Sequence, residues 1–396
     1  MSSDRLQALS DAGQSIWLDF IDRTMLQNGD LQRRIREDGL TGMTSNPSIF
    51  EKALAEGTEY DDQLRAAPQG MTAEELFEDM ATDDVRSACD IFRPVYEATH
   101  GGDGFVSIEV SPALAHESGA TVEEARRLWR TVARPNVMVK VPGTAESVHA
   151  MRQLVAEGIN VNVTLLFALD AYRSVISAYI EGIESRVKIS QPVEQIASVA
   201  SFFVSRVDTE VDNRLGSLVA GAGAEERGRI DALHGKAAIA NAKLAYALFR
   251  ERFAGDRWEA LAARGARLQR PLWASTSTKN PEYRDVRYVE ELIGRDTVIT
   301  MPPATIDAFR DHGETALTVT ENVDEAERTL QDLEDAGISM RAVTDKLLVD
   351  GLASFRKSHE SLLAGLTRKT RTLGRTVAPG ARAPSPERSR SDEVRS

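Results

Sequence analysis

Eight short apolar runs, each followed by a segment of helical character, predict a (β/α)8 barrel in this chain of 396 residues. The runs are bounded by turn residues, and the segments between them are long enough to be crossover helices. Right-handed crossovers leave a closed or a doubly wound parallel sheet as the inexpensive solutions, and a count of eight favours closure.

The elements follow in order. The first strand is expected at Ser15 to Ile21 (SIWLDFI) and the second at Gly42 to Asn46, which runs straight into Pro47, a residue suited to a first helical turn. A long helix from Thr72 to about Thr99 is opened by Thr72-Ala-Glu-Glu75, the capping-box pattern, and is broken by Gly101-Gly102-Asp103-Gly104. Further strands are expected at Phe105 to Val110, Val137 to Pro142, Ile159 to Thr164 and Ile196 to Phe202. A helical stretch over Ala224 to Ala254 leads to strand seven, Pro271 to Thr276, then strand eight, Thr297 to Met301, with a helix from about Pro303. Asn322 to about Leu366 is helical, longer than one closing helix, and expected to pack over the barrel. Residues 1–375 thus read as a single catalytic domain. From about Thr376 the composition (APGARAPSPERSRSDEVRS) cannot bury enough apolar area to order itself, so 376–396 is expected to be a disordered tail.

Composition narrows the function. Hydrophobic residues make up 42% and charged residues 28%, and no apolar run approaches the roughly 20 residues of a membrane span. The N-terminal residues lack the basic and apolar regions of a secretory signal, so a cytoplasmic location is expected. A net charge of -13 argues against a nucleic-acid surface. One cysteine, Cys89, forms no internal disulfide or cysteine-based zinc cluster, the six histidines show no His-x-x-x-His, and Asp61-Asp62 and Asp83-Asp84 lack calcium-loop spacing. No metal is expected.

Lys140 is the residue to explain. It stands in Val137-Met-Val-Lys-Val-Pro142, where a buried strand is expected and an unpaired ammonium would be costly to desolvate. Polar residues fall late in strand after strand: Asp19, Thr44 with Asn46, Glu109, Lys140, Asn162 with Thr164, Ser201 with Arg206 just beyond, and Ser275 with Lys279 in the following loop. Chemistry in such a barrel sits at the carboxyl ends of the strands. Each residue has an ordinary alternative: Lys140 snorkelling, Asn46 starting the helix at Pro47, Arg206 and Asp208 forming a surface pair. Those alternatives do not predict that all would share one rim.

The set suits lysine attack on a carbonyl. A free lysine, with a pKa of about 10.4, is almost wholly protonated at neutral pH and must be desolvated or set near positive charge to act. The valines supply desolvation. Imine formation needs proton shuttling, for which Glu109 and Thr164 with a water between them are suited. Asp19 is the candidate for moving a proton to and from a substrate hydroxyl, and Arg206, Lys279 and Ser275 for meeting a phosphate.

These motifs resemble the transaldolase family, from about Trp17 to Leu366: Thr44-Ser-Asn-Pro-Ser-Ile-Phe50, Val137-Met-Val-Lys-Val-Pro142, Asn162-Val-Thr-Leu-Leu-Phe167 and Ser201-Phe-Phe-Val-Ser-Arg206. The resemblance implies that Lys140 forms a Schiff base with C2 of sedoheptulose 7-phosphate or fructose 6-phosphate and that Asp19 deprotonates the C4 hydroxyl. Glu109 and Thr164 would hold the catalytic water, and Asn46 and Asn162 the dihydroxyacetone enamine. The three-carbon unit would then pass to erythrose 4-phosphate or glyceraldehyde 3-phosphate. Thr44, Ser201, Phe203, Arg206, Ser275 and Lys279 would complete the substrate site. No cofactor is implied, since the imine is the electron sink, and the partners would be sugar phosphates, with a monomer or homodimer as the assembly. One segment departs from the family's best-known branch: Ser275-Thr-Ser-Thr-Lys279 replaces a shorter Ser-Phe-Arg, and this resembles the larger bacterial branch. An ammonium lacks the bidentate fork of a guanidinium. Two competing readings are an aldolase that releases dihydroxyacetone and a non-catalytic sugar-phosphate binder.

Overall fold

The computed structural model describes residues 3–219 and 223–378. Eight parallel strands close into a barrel in sequence order: β1 (Gln14–Asp19), β2 (Leu40–Thr44), β3 (Phe105–Glu109), β4 (Val137–Pro142), β5 (Val161–Leu166), β6 (Ser198–Phe203), β7 (Gln269–Ala274) and β8 (Thr297–Met301). β1 pairs with both β2 and β8, so the sheet has no edge.

β4 and β8 lie where the sequence puts them, and β3 ends one residue early. The others are displaced by one or two residues. β1 and β2 begin earlier than expected, leaving Phe20 and Ile21, and Ser45 and Asn46, in the loops above the rim. β5 and β6 begin two residues late, and β5 carries a register shift between Val163 and Leu166, with Leu165 at φ 59. β7 starts at Gln269, with Pro271 inside it, and ends because Ser275 takes a left-handed φ of 57.

The capping box at Thr72 forms in full: the Thr72 hydroxyl accepts from the Glu75 N–H and the Glu75 carboxylate from the Thr72 N–H, opening a helix over Ala73–Ala98. Pro47 is the first residue of a helix, Pro47–Glu56, as expected. The stretch 224–254 is two helices, Ala224–Asp231 and Ala237–Arg252, separated by a turn with Gly235 at φ 67. The C-terminal region divides likewise into Val323–Asp335 and a 33-residue helix, Met340–Thr372. That last helix packs on Pro47–Glu56, on Ala73–Ala98 and on β5, and so lies over the carboxyl-terminal mouth. The chain stays in contact past the expected tail boundary: Val377 packs on the core, and the Ala378 N–H donates to the Met71 carbonyl at 2.9 Å. The rest of the expected tail, 379–396, lies outside the described residues. Among the described residues, no helix is long and apolar enough to cross a membrane.

Candidate active site

Strand register assembles the site. In a parallel pair, residues in register present their side chains to the same face, and Glu109 on β3 is paired with Lys140 on β4, itself paired with Asn162 on β5. Three polar side chains therefore meet at one level of the barrel. On the adjoining side Asp19 and Thr44 are in register, and the Thr44 hydroxyl donates to Asp19 Oδ1 at 2.8 Å.

Lys140 is 5% exposed. Its Nζ donates to the Ser45 carbonyl at 3.2 Å, stands 3.4 Å from Glu109 Oε2, and lies 5.9 Å from the centre of the Phe355 ring. Snorkelling is excluded, because the amine is covered from above by Phe355, itself 5% exposed. The Glu109 side chain is 8% exposed, and burial pushes its carboxyl above the ordinary range, with Lys140 opposing this and the neighbouring Asp19 adding to it. Glu109 Oε2 and Thr164 Oγ1 are buried atoms without a hydrogen-bond partner among the described residues. Buried polar atoms are rarely left so; Glu109 Oε2 has only the Lys140 ammonium near it, and Thr164 is in register with Pro142, two residues beyond Lys140 on the same face.

Asn162 is held from both sides: its Nδ2 donates to Ser107 Oγ at 3.0 Å, and its Oδ1 accepts from Ser201 Oγ at 2.7 Å. Ser201 thus orients Asn162. Asn46 behaves as the ordinary alternative foresees, its Oδ1 accepting from the Ile49 N–H at 3.1 Å at the start of the helix, yet it also lines a cavity of about 630 Å³ shared with Asp19, Phe20, Arg23 and Ser48.

Arg206 and Asp208 are not a pair. Asp208 is buried and accepts from Tyr288 Oη at 2.8 Å and the Ala238 N–H at 2.7 Å, because it sits one turn inside the helix Ser205–Val219. Arg206 stacks at 5.3 Å over the Phe203 ring and makes no hydrogen bond or ion pair with the described residues. Burial lowers its pKa, with Asp19 as the opposing charge. A half-buried guanidinium with its donors uncommitted is chemically suited to an anion. Ser275 Oγ is 3.0 Å from Ser205 Oγ, joining the β7 end to Arg206's helix, whereas Lys279 is exposed and its Nζ donates to Ser277 Oγ at 2.9 Å. Three contributors were not foreseen. Ser107, two residues before Glu109, follows from the two-residue strand period; the Ser45 carbonyl and Phe355 left no local signal.

A buried lysine beside a carboxyl, at the carboxyl-terminal mouth of a closed parallel barrel, is an arrangement suited to an amine acting on carbonyl substrates. The family model for transaldolase/fructose-6-phosphate aldolase matches residues 16–366, and the chain belongs to that family. It is similar to a transaldolase of Thermobifida fusca, 51% identical over 360 residues, which covers 90% of this chain and 96% of the relative. Transaldolase 2 of Nostoc sp. is 46% identical over 379 residues (94% and 99%), and a transaldolase of Mycobacterium ulcerans 46% over 363 (90% and 95%).

Proposed function

We propose that this chain is a transaldolase, moving a dihydroxyacetone unit from sedoheptulose 7-phosphate or fructose 6-phosphate to glyceraldehyde 3-phosphate or erythrose 4-phosphate. The observation that carries the reading is the enclosed Lys140 in register between Glu109 and Asn162. Lys140 Nζ attacks the C2 carbonyl; Glu109 and Thr164, with a water, move the protons that turn the carbinolamine into an imine and release water. Asp19 takes the proton from the C4 hydroxyl, the C3–C4 bond breaks, and its electron pair enters the imine to give an enamine while an aldose phosphate leaves. Asn162 and Asn46 hold the enamine by its hydroxyls. The enamine carbon then attacks the acceptor aldehyde, Asp19 returns the proton to the new hydroxyl, and water hydrolyses the imine. Arg206, Ser275 and Lys279 receive the phosphate, with Thr44, Ser201 and Phe203 positioning their neighbours.

The proposed partners are small sugar phosphates alone, with neither nucleic acid nor membrane, the proposed compartment is the cytoplasm, and the assembly a monomer or homodimer. The charge of -13 supports the absence of a nucleic-acid partner. The test is borohydride reduction in the presence of fructose 6-phosphate, followed by peptide mass spectrometry, with Lys140→Ala as control. The expected result is a three-carbon adduct on Lys140 and none in the variant. No adduct on Lys140 rejects the mechanism, and dihydroxyacetone accumulating at the full turnover rate without an acceptor makes the enzyme an aldolase instead.

A further inference from the structure

The segment after β7 carries Lys279, and its ends are tied to the helix that carries Arg206. At the near end, the Ser205 N–H donates to the Ser275 carbonyl at 3.0 Å, beside the contact between their hydroxyls. At the far end, two tyrosines reach the same helix one turn apart: Tyr288 Oη donates to Asp208 at 2.8 Å, and Tyr283 Oη to Asp212 at 2.6 Å. Asp208 and Asp212 are four residues apart and so share a helix face.

The two carboxylates also hold the turn before Ala237–Arg252. Asp212 accepts from the Gly235 N–H at 2.9 Å, with His234 Nδ1 at 3.5 Å, and Asp208 accepts from the Ala238 N–H. Arg287 closes the arrangement, its guanidinium 4.9 Å from the Tyr283 ring and donating to the Gly235 carbonyl at 2.5 Å. Gly235 has a left-handed φ of 67, and a Cβ there would lie 2.6 Å from Arg287 Nη1 and 2.7 Å from Tyr283 Cζ, so the packing admits no larger residue without movement. Burial and the facing carboxylates push both tyrosine hydroxyls up, keeping them as donors.

We propose that Asp208 and Asp212 are positioning residues for the phosphate subsite, acting through Tyr288 and Tyr283 to lock the segment 275–288, and with it Lys279, onto the helix that bears Arg206. The inference rests on the phosphate reading of Arg206 and Lys279 given above. A single ammonium on a loop is a point charge with many available rotamers, and it contributes to a subsite only if its backbone is held. The clasp supplies that constraint where the segment is longer and carries Lys.

The test compares Tyr283→Phe and Tyr288→Phe with the unsubstituted enzyme. Each removes one hydroxyl and keeps the ring. The Michaelis constant for fructose 6-phosphate is expected to rise roughly 3- to 30-fold with kcat changed less than about twofold, within what small misplacement of a binding group produces. The concentration of unphosphorylated dihydroxyacetone that half-saturates borohydride trapping is expected to stay unchanged. Should one variant fail to fold, as read by its thermal midpoint, the other and Asp212→Asn carry the same comparison. An unchanged Michaelis constant, or equal losses for the phosphorylated and unphosphorylated ligands, overturns the clasp while normal trapping on Lys140 leaves the proposed function standing. Absent trapping in the unsubstituted enzyme overturns that function instead.

Discussion

At the scale of single residues, the central pair is Lys140 and Glu109, 3.4 Å apart, with side chains 6% and 8% exposed. Burial disfavours the charged form of the Glu109 carboxyl and pushes it above the ordinary range, with the Lys140 ammonium opposing that shift. Glu109→Gln keeps the shape and a polar contact to the lysine but removes the proton acceptor. Its expected effect is a fall of roughly 10²- to 10⁴-fold in the rate of imine formation, the usual worth of general acid–base catalysis. Single-turnover trapping with borohydride reads that rate directly; a trapping rate within a factor of a few of the original enzyme removes Glu109 from the proton path. At this scale the sequence was informative about side chains and silent about backbone. Lys140, Glu109 and Asn162 stand out because polar residues are unusual in apolar strands, whereas the Ser45 carbonyl that receives Lys140 belongs to a loop whose path is set by tertiary packing.

At the scale of elements, strands bounded by breakers at both ends were placed correctly and the others drifted. β4 lies between Asn136 and Gly143 and β8 between Asp296 and Pro302, while β5, β6 and β7 pass into rim residues with no such stop. In a parallel barrel both faces are covered, so there is no alternation to fix the phase, and a left-handed Ser275 or Leu165 cannot be read from residue type. The helix Ser205–Val219 yields a pH prediction. Burial raises Asp208 to about 6 from 3.8, with Asp212 raising it further and the Ala238 N–H, Tyr288 and Arg287 opposing. Because the folded value lies above the unfolded one, the associated stability is full below about pH 4 and is lost as pH rises through about 6, a difference of about 3 kcal/mol. Asp208→Asn retains a carbonyl acceptor for the Ala238 N–H without the charge. Its unfolding midpoint is therefore expected to gain on that of the parent protein between about pH 4 and 6.5, and midpoints that run parallel across that range show that Asp208 does not titrate in it.

At the scale of the whole molecule, the chain's last described helix covers the mouth that its first strands help to build. Met340–Thr372 is fastened to the loop helices above β2 by Ser358 to Ser48 at 2.9 Å and Lys369 to Asp61 at 3.0 Å, and His359 packs edge-on to Phe77 at 5.7 Å. It approaches the rim so closely that a Cβ on Gly351 would lie 3.0 Å from Leu165 and 3.7 Å from Arg206. A helical C-terminal region was foreseen from its pattern, but nothing local to Phe355 marks it as the ring over Lys140. This cover bears on the choice between transfer and release. The enamine must outlast the exchange of one aldose phosphate for another, and water reaching it allows protonation at carbon, hydrolysis of the imine and loss of free dihydroxyacetone. Phe355→Ala opens a path to Lys140 while leaving the nucleophile in place. The expected outcome is a rise of at least several-fold in dihydroxyacetone released per transfer event, with the adduct on Lys140 still formed; a Phe to Ala change in a core also costs about 3 to 5 kcal/mol, so Phe355→Leu is the milder companion. The measurement is the ratio of dihydroxyacetone to transfer product at saturating erythrose 4-phosphate. If both variants keep the parent ratio, the helix stabilises the barrel without guarding the intermediate, and the discrimination against water lies in the residues below the rim.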